Sequence, residues 1–167
     1  CFSFHPRKAI TTGEGGMVTT NNTELADKIR CLRDHGATMS DLQRHLGSKP
    51  YLLADHPEAG FNQRMTDIQA ALGISQLRKL NSFMNKRQEI ACIYNELFSS
   101  LPVKTQKKDK NIISSNHLYI IRLDKHKIKR SHSYIFNYLI KNKIGVNLLY
   151  IPVYRHPYYK QFGYDVS

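Results

Sequence analysis

Ser3-Phe4-His5-Pro6-Arg7-Lys8-Ala9-Ile10-Thr11-Thr12-Gly13-Glu14-Gly15-Gly16 is the stretch that decides how this chain is read. It offers one amine at Lys8, one hydroxyl five positions earlier at Ser3, and a glycine-rich turn before the β-prone Met17-Val18-Thr19-Thr20. Taken singly, Lys8 is a solvated cation in a basic chain, and Gly13-Glu14-Gly15-Gly16 is a hairpin or loop. The stretch gains meaning only as a unit, and the segments around it decide what that unit is.

Downstream, Asn21, Asn22 and Thr23 offer cap oxygens to a helix whose apolar residues are Leu25, Ile29 and Leu32, with Gly36 as its stop. Residues 37–60, with Gly47, Pro50, Pro57 and Gly60, read as a long irregular loop. Thr66-Asp67-Ile68-Gln69 is a capping-box pattern. The helix after it is expected to turn Ile68, Ala71, Leu72, Leu77 and Leu80 towards a core. A second helix, about Ser82 to Ser100, repeats Phe83, Ile90, Ile93, Tyr94 and Leu97. Pro102 and a basic run to Ser115 break the pattern. Beyond it the sequence predicts a strand over His117–Leu123, a helix over Tyr134–Lys143 and a strand over Val146–Val153. No closing helix is expected between Phe162-Gly163-Tyr164 and Ser167. The element order is that of an α/β or α+β chain.

As a unit, the opening stretch resembles the cofactor-lysine motif of the DegT/DnrJ/EryC1/StrS sugar aminotransferases: Ser-Phe, a short loop, Lys, then Gly-Glu-Gly-Gly and a strand. That resemblance implies pyridoxal 5'-phosphate as cofactor and an aspartate-aminotransferase-like (fold type I) α/β architecture. It makes Lys8 the catalytic residue that bonds to the cofactor aldehyde and Ser3 a donor to its phosphate. The residue types suit the chemistry, since a desolvated lysine amine can attack a carbonyl and, once released, carry a proton. Glycines permit backbone turns closed to other residues. Related sugar dehydratases have histidine where this chain has Lys8, which favours transamination over dehydration.

Further segments carry the same likeness. Gly60-Phe61-Asn62-Gln63-Arg64-Met65, leading into a helix, resembles the family's Gly-aromatic-Asn-x-Arg motif. Asn62 would then contact the cofactor phosphate of a second subunit, which implies a homodimer with shared active sites. Arg64 faces either an anionic substrate group or an acid of the chain. Arg87, Ala91 and Tyr94 match the helix that links the two domains. Ser114-Ser115-Asn116-His117-Leu118-Tyr119 and Tyr150-Ile151-Pro152-Val153-Tyr154 resemble the small domain's sheet and substrate-facing loop. Tyr154 is a substrate-binding candidate with a packed aromatic as its competitor, and His117 reads as a structural strand residue.

The expected division is residues 1–80 as the C-terminal part of the large cofactor-binding domain, and residues 81–167 as linking helix and truncated small domain. The short strings favour a branch that aminates UDP-linked 4-keto-6-deoxy-N-acetyl sugars on the route to pseudaminic acid, with glutamate as amino donor. None of the Asp residues sits in the family's ring-nitrogen motif, and the ring-stacking aromatic is missing too. The expectation is a fragment, inactive alone.

Composition narrows the rivals. The chain has 167 residues, 25 Lys plus Arg against 13 Asp plus Glu, and a net charge of +12. That charge raises a basic polyanion-binding module as an alternative, and a non-catalytic remnant is another. The tightest basic runs, Lys104–Lys110 and Lys125–Arg130, lack the interleaved aromatics of a stacking platform for nucleic acid. With a nucleotide-sugar enzyme in view, part of the charge suits anionic ligands and the rest is solvated surface. No apolar run approaches the roughly 20 residues of a membrane-spanning helix, and no signal peptide opens the chain. Cys1, Cys31 and Cys92 fit neither a disulfide framework nor a metal spacing. The expected location is the cytoplasm, without a metal, a nucleic-acid partner or a membrane.

Overall fold

The computed structural model describes residues 1–109 and 111–163. Lys110, which closes the first basic run, and Tyr164, at the chain's end, lie outside the described residues. The chain divides into two compact units, Cys1–Ser99 with Gln106–Ile120, and Ser100–Thr105 with Ile121–Ser167.

The first unit opens with β1 (Phe2–Ser3) paired antiparallel to β2 (Gly16–Met17), Phe2 opposite Met17 and Ser3 opposite Gly16. The strand expected to run on to Thr20 ends at Met17. Helix α1 (Thr23–Arg33) starts where the sequence places it. The Asn22 Oδ1 accepts the Leu25 N–H at 3.0 Å, Glu24 lies in the first turn, and Arg30 and Arg33 lie in the last. Gly36 sits beyond its end at φ +76°, and a Cβ there would overlap the Glu58 carbonyl. That close approach lets residues 58–63 dock on the end of α1. The Phe61 N–H donates to the Leu32 carbonyl at 2.6 Å, His35 N–H to Phe61, and Gln63 N–H to Arg33, both at 2.9 Å.

The expected loop over 37–60 contains a helix, α2 (Asp41–Leu46), which the sequence reading passed over. Ser40 and Gln43 close a full capping box on it, so this six-residue helix is held by its cap in the absence of apolar periodicity. Helix α3 (Asp67–Arg78) has the predicted capping box from Thr66 and Gln69. Helix α4 (Leu80–Phe98) follows after Lys79. The face of α3 that is covered differs from the expected one. Met65, Gln69, Ala70, Gly73, Gln76 and Leu80 are half-buried, while Ala71 is exposed. Ile68 is 84% exposed, and Leu72 and Leu77 are also exposed. The physical reason is at Gly73, where a Cβ would lie 2.9 Å from the Thr12 methyl. The glycine side of α3 is the side that can lie flat on the loop before β2.

Residues 114–119 run along α4, contrary to the strand expected from His117. The Arg87 guanidinium donates to the Asn116 carbonyl at 3.3 Å, the Gln88 amide donates to the Ser114 carbonyl, and the Tyr119 hydroxyl donates to Asn95 Oδ1 at 2.6 Å. Asn116, at φ +44°, turns the backbone out of an extended course. Tyr119 also packs edge-on against Tyr94, with ring centroids 5.1 Å apart.

In the second unit, only Ile121–Leu123 of the predicted strand forms, as β4, antiparallel to β3 (Val103–Thr105) with Val103 opposite Leu123. Helix α5 (His132–Lys141) is capped by Ser131. The strand expected over Val146–Val153 is absent, because among the described residues no second strand pairs with it. Its Leu148, Leu149, Tyr150 and Ile151 are exposed. A short 3-10 turn (Val153–Arg155) and α6 (Pro157–Lys160) follow.

Two compact bodies of these lengths would expose about 10,000 Å² of surface, whereas the chain exposes 14355 Å². Among the described residues, only Ala91 (2% exposed) is buried as an apolar side chain and only Thr12 (3%) as a polar one. Among the described residues, the apolar side chains Ile68, Leu72 and Leu77 of α3 and those of residues 148–151 are therefore exposed.

Candidate active site

The Lys8 loop is closed from both ends by backbone bonds. Beyond the β1–β2 pair, the Phe4 N–H donates to the Gly15 carbonyl at 2.9 Å. The Phe4 carbonyl accepts two donors, the Thr12 N–H at 3.1 Å and the Thr11 hydroxyl at 2.8 Å. Buried Thr12 turns its hydroxyl to the Glu14 carbonyl at 2.7 Å. A Cβ on Gly15 would meet that same hydroxyl, and one on Gly16 would lie 3.1 Å from the Phe2 carbonyl. Gly15 (φ +156°) is thus required by contact as well as by turn geometry, and Gly13 (φ +82°) by turn geometry alone. Helix α3 supports the turn from below through Gln69, whose amide donates to the Glu14 carbonyl at 3.2 Å.

Lys8 itself is placed by a turn over His5–Lys8. Its N–H donates to the His5 carbonyl at 2.9 Å, and the Arg7 N–H donates to His5 Nδ1 at 3.1 Å. Pro6 stands second in that turn, where its fixed φ is already correct. The Lys8 side chain is half-buried and has no carboxylate partner among the described ion pairs. Ser3 is exposed at the end of β1, its Oγ accepting only a long 3.5 Å contact from the His5 N–H. Its own hydroxyl hydrogen remains available to a ligand. Amine, hydroxyl and glycine turn therefore belong to one loop, and they fit a phosphate-bearing aldehyde cofactor in donor type and in freedom from competing partners.

Asn62 pairs with Asp34 as an isolated antiparallel bridge on the docked 58–63 segment, and its side chain is exposed. Two residues on, the Arg64 guanidinium meets the Asp34 carboxylate at 3.0 Å. Of the two readings open for Arg64, pairing with an acid of the chain is the one present. Tyr154 lies in the second unit on the 3-10 turn, with the Arg155 guanidinium carbon 6.0 Å from its ring centre.

One residue near Lys8 is not evident from the sequence reading. His117, half-buried in the first unit, has its protonation disfavoured first by burial, then by the charges of Lys8 and Arg87. The bonds that lay residues 114–119 on α4 hold His117 where the Lys8 and Arg87 charges act on its ring.

The profile described as the DegT/DnrJ/EryC1/StrS aminotransferase family matches residues 1–167. The chain belongs to this family. A UDP-4-amino-4,6-dideoxy-N-acetyl-beta-L-altrosamine transaminase of Campylobacter jejuni is 40% identical over 166 residues, which cover 96% of this chain and 40% of that protein. The solved Helicobacter pylori aminotransferase involved in the biosynthesis of pseudoaminic acid superimposes with a TM-score of 0.85 at 35% identity, over 99% of this chain and 42% of its own. A putative sugar aminotransferase of Streptococcus pneumoniae, solved in its PLP-form, gives 0.79 at 28% identity over 98% and 41%. The chain thus spans about two fifths of the length of the relatives it matches. The aspartate-aminotransferase-like fold expected from the motifs is the fold of these DegT/DnrJ/EryC1/StrS neighbours, of which this chain represents a part.

Proposed function

We propose that these residues are part of a pyridoxal-phosphate-dependent aminotransferase that moves an amino group from glutamate to a nucleotide-linked 4-keto-6-deoxy sugar, for cell-surface or flagellar glycan synthesis. The observation that carries this reading is the Lys8 amine, half-buried and without an acid partner among the described residues, on a loop that its glycines and α3 hold in place. The cofactor, when bound, supplies an aldehyde for amines and a ring that accepts the electron pair left by a broken C–H bond. Lys8 would hold the cofactor through its aldehyde, and its amine, when free, would take up and return a proton. Ser3 donates its hydroxyl to the phosphate. Asn62, displayed on the 58–63 segment, reaches the phosphate of a second copy in a homodimer.

On this reading, Arg64 orients the Asn62 segment through Asp34 and remains a candidate for an anionic substrate group. Tyr154, on the second unit, is proposed as a substrate-binding residue. The proposed organisation keeps residues 1–80 in the large domain and 81–167 in the linking helix and small domain, with the protein acting in the cytoplasm. Among the described residues no helix is long and apolar enough to cross a membrane. The C. jejuni and H. pylori relatives support the UDP-linked N-acetyl sugar of the pseudaminic acid route as acceptor. The 167 residues alone are expected to be inactive, since the acid for the ring nitrogen is not among their motifs. The test is borohydride reduction of the complete protein with cofactor. A reduced adduct on the peptide carrying Lys8, lost in Lys8→Ala, supports the reading, and an adduct that persists in Lys8→Ala refutes it.

A further inference from the structure

The segment that displays Asn62 is fastened to the end of α1 on both sides of that residue. After it, Arg64 meets Asp34. Before it, the Glu58 carboxylate takes two donors from α1, the Lys28 ammonium on Oε2 and the Cys31 thiol on Oε1, the latter at 3.7 Å. Lys28 and Cys31 stand three positions apart, so they share one side of the helix. Glu58 is half-buried, and both of its oxygens are engaged. Between the two anchors the contact is backbone on backbone. A Cβ on Gly60 would overlap the Gly36 nitrogen, and one on Gly36 would overlap the Glu58 carbonyl. Two glycines at this separation let the segment lie on the helix end, but they offer no side chains to interlock against a shift along it. Glu58 supplies what they lack, a side chain held from two points.

Such an anchor acts on position more than on stability. The Lys28 side chain is 54% exposed, and ion pairs this open to water add little to the free energy of folding. A hydrogen bond from an amide to a phosphate oxygen, by contrast, weakens steeply with small errors of distance and angle. The Asn62 side chain is exposed, and its reach is set by where the backbone beneath it lies. We infer that Glu58, gripped by Lys28 and Cys31, is a positioning residue that sets the reach of Asn62 to the cofactor phosphate; this rests on the role proposed for Asn62 above. Glu58 itself touches neither cofactor nor substrate in this account. It acts through four residues of chain, whose backbone is tied to α1 by the Phe61, His35 and Gln63 hydrogen bonds.

The experiment is a double-mutant cycle on the complete protein, stripped of cofactor and titrated with pyridoxamine 5'-phosphate by calorimetry, with thermal melting of every variant. Asn62→Ala should weaken binding about ten-fold, as for losing a hydrogen bond to a charged group. Glu58→Ala should weaken it by about three- to five-fold in a protein that still melts cooperatively. Glu58→Gln, whose amide oxygen can still accept from Lys28, should recover part of that loss. In the Asn62→Ala background Glu58→Ala should add less than about 1.5-fold, because the group it positions is gone. A purely structural role predicts the opposite: the same weakening with and without Asn62, which overturns the inference. Unchanged affinity in folded Glu58→Ala overturns it too. If Glu58→Ala fails to fold, Lys28→Met decides by the same cycle. A loss of about two- to three-fold that requires Asn62 supports the inference, and no loss, or a loss independent of Asn62, overturns it. Unchanged binding in Asn62→Ala refutes the role proposed for Asn62 and this inference with it, whereas loss in Asn62→Ala without loss in Glu58→Ala overturns the inference alone.

Discussion

Gln69→Glu separates two tasks that one side chain performs. The Gln69 Oε1 accepts the Thr66 N–H at 3.0 Å, completing the capping box of α3, while its Nε2 donates to the Glu14 carbonyl at 3.2 Å and props the Lys8 loop. Glutamate retains the acceptor and adds negative charge at the helix N-terminus, which favours α3 by a few tenths of a kcal/mol, on the order of 0.3. It has no donor for Glu14 and places a carboxylate against a carbonyl. The lost bond is exposed, so water replaces it and the cost stays near about 1 kcal/mol without a burial penalty. Hydrogen exchange of the complete protein, followed on peptides covering the loop and α3 separately, reads both effects. The loop amides of Phe4 and Thr12 should exchange about five-fold faster, while those of α3 from Ala70 onward keep or gain protection. Equal loosening of both segments would refute the division of labour. No change in the loop would show that α3 does not support it.

Two further outcomes follow from the same geometry. Gly36→Ala should destabilise the protein by about 2–3 kcal/mol or more in denaturant titration, because φ is +76° and the new Cβ overlaps the Glu58 backbone. A loss below about 0.5 kcal/mol would contradict the docking of 58–63 on α1. His117 carries a pH signature. Its folded pKa is lowered by burial, Lys8 and Arg87, so below its ordinary value of about 6.5 the unfolded chain binds the proton more readily. Its contribution to stability is complete above that value and declines as pH falls through it towards the folded pKa. His117→Gln should therefore lose less thermal stability than the unmodified protein between about pH 7 and about pH 5, and an identical loss would contradict the lowered pKa of His117.

Local chemistry was legible, and non-local chemistry was not. Asn22, Gly36 and the Thr66–Gln69 box act within one helical turn, so the residues that cause each boundary sit beside it in the chain. The Lys8 loop was readable for the same reason, since Ser3, Lys8 and the glycines form one closed segment. Ser40 and Gln43 carried an equally good cap signal for α2, yet a six-residue helix has too few turns to show periodicity. Apolar Ile68, Leu72 and Leu77 indicated a face that needs cover, but not that the covered side of α3 is set by Gly73 against Thr12. Val146–Val153 has strand composition, and a strand exists only where a neighbour pairs with it. The influence of the Lys8 charge on His117 was not legible in the sequence, because it depends on Arg87, Gln88 and Asn95 holding a distant segment on α4.

The central claim is that the Lys8 amine is the group that holds the cofactor. Mass spectrometry of the complete protein after cofactor loading, borohydride reduction and proteolysis tests it directly. The account predicts a cofactor-sized mass increase on the peptide containing Lys8 and on no other lysine peptide, abolished by Lys8→Ala in a protein that still melts cooperatively. A modification on another lysine, or one that survives Lys8→Ala, would contradict it.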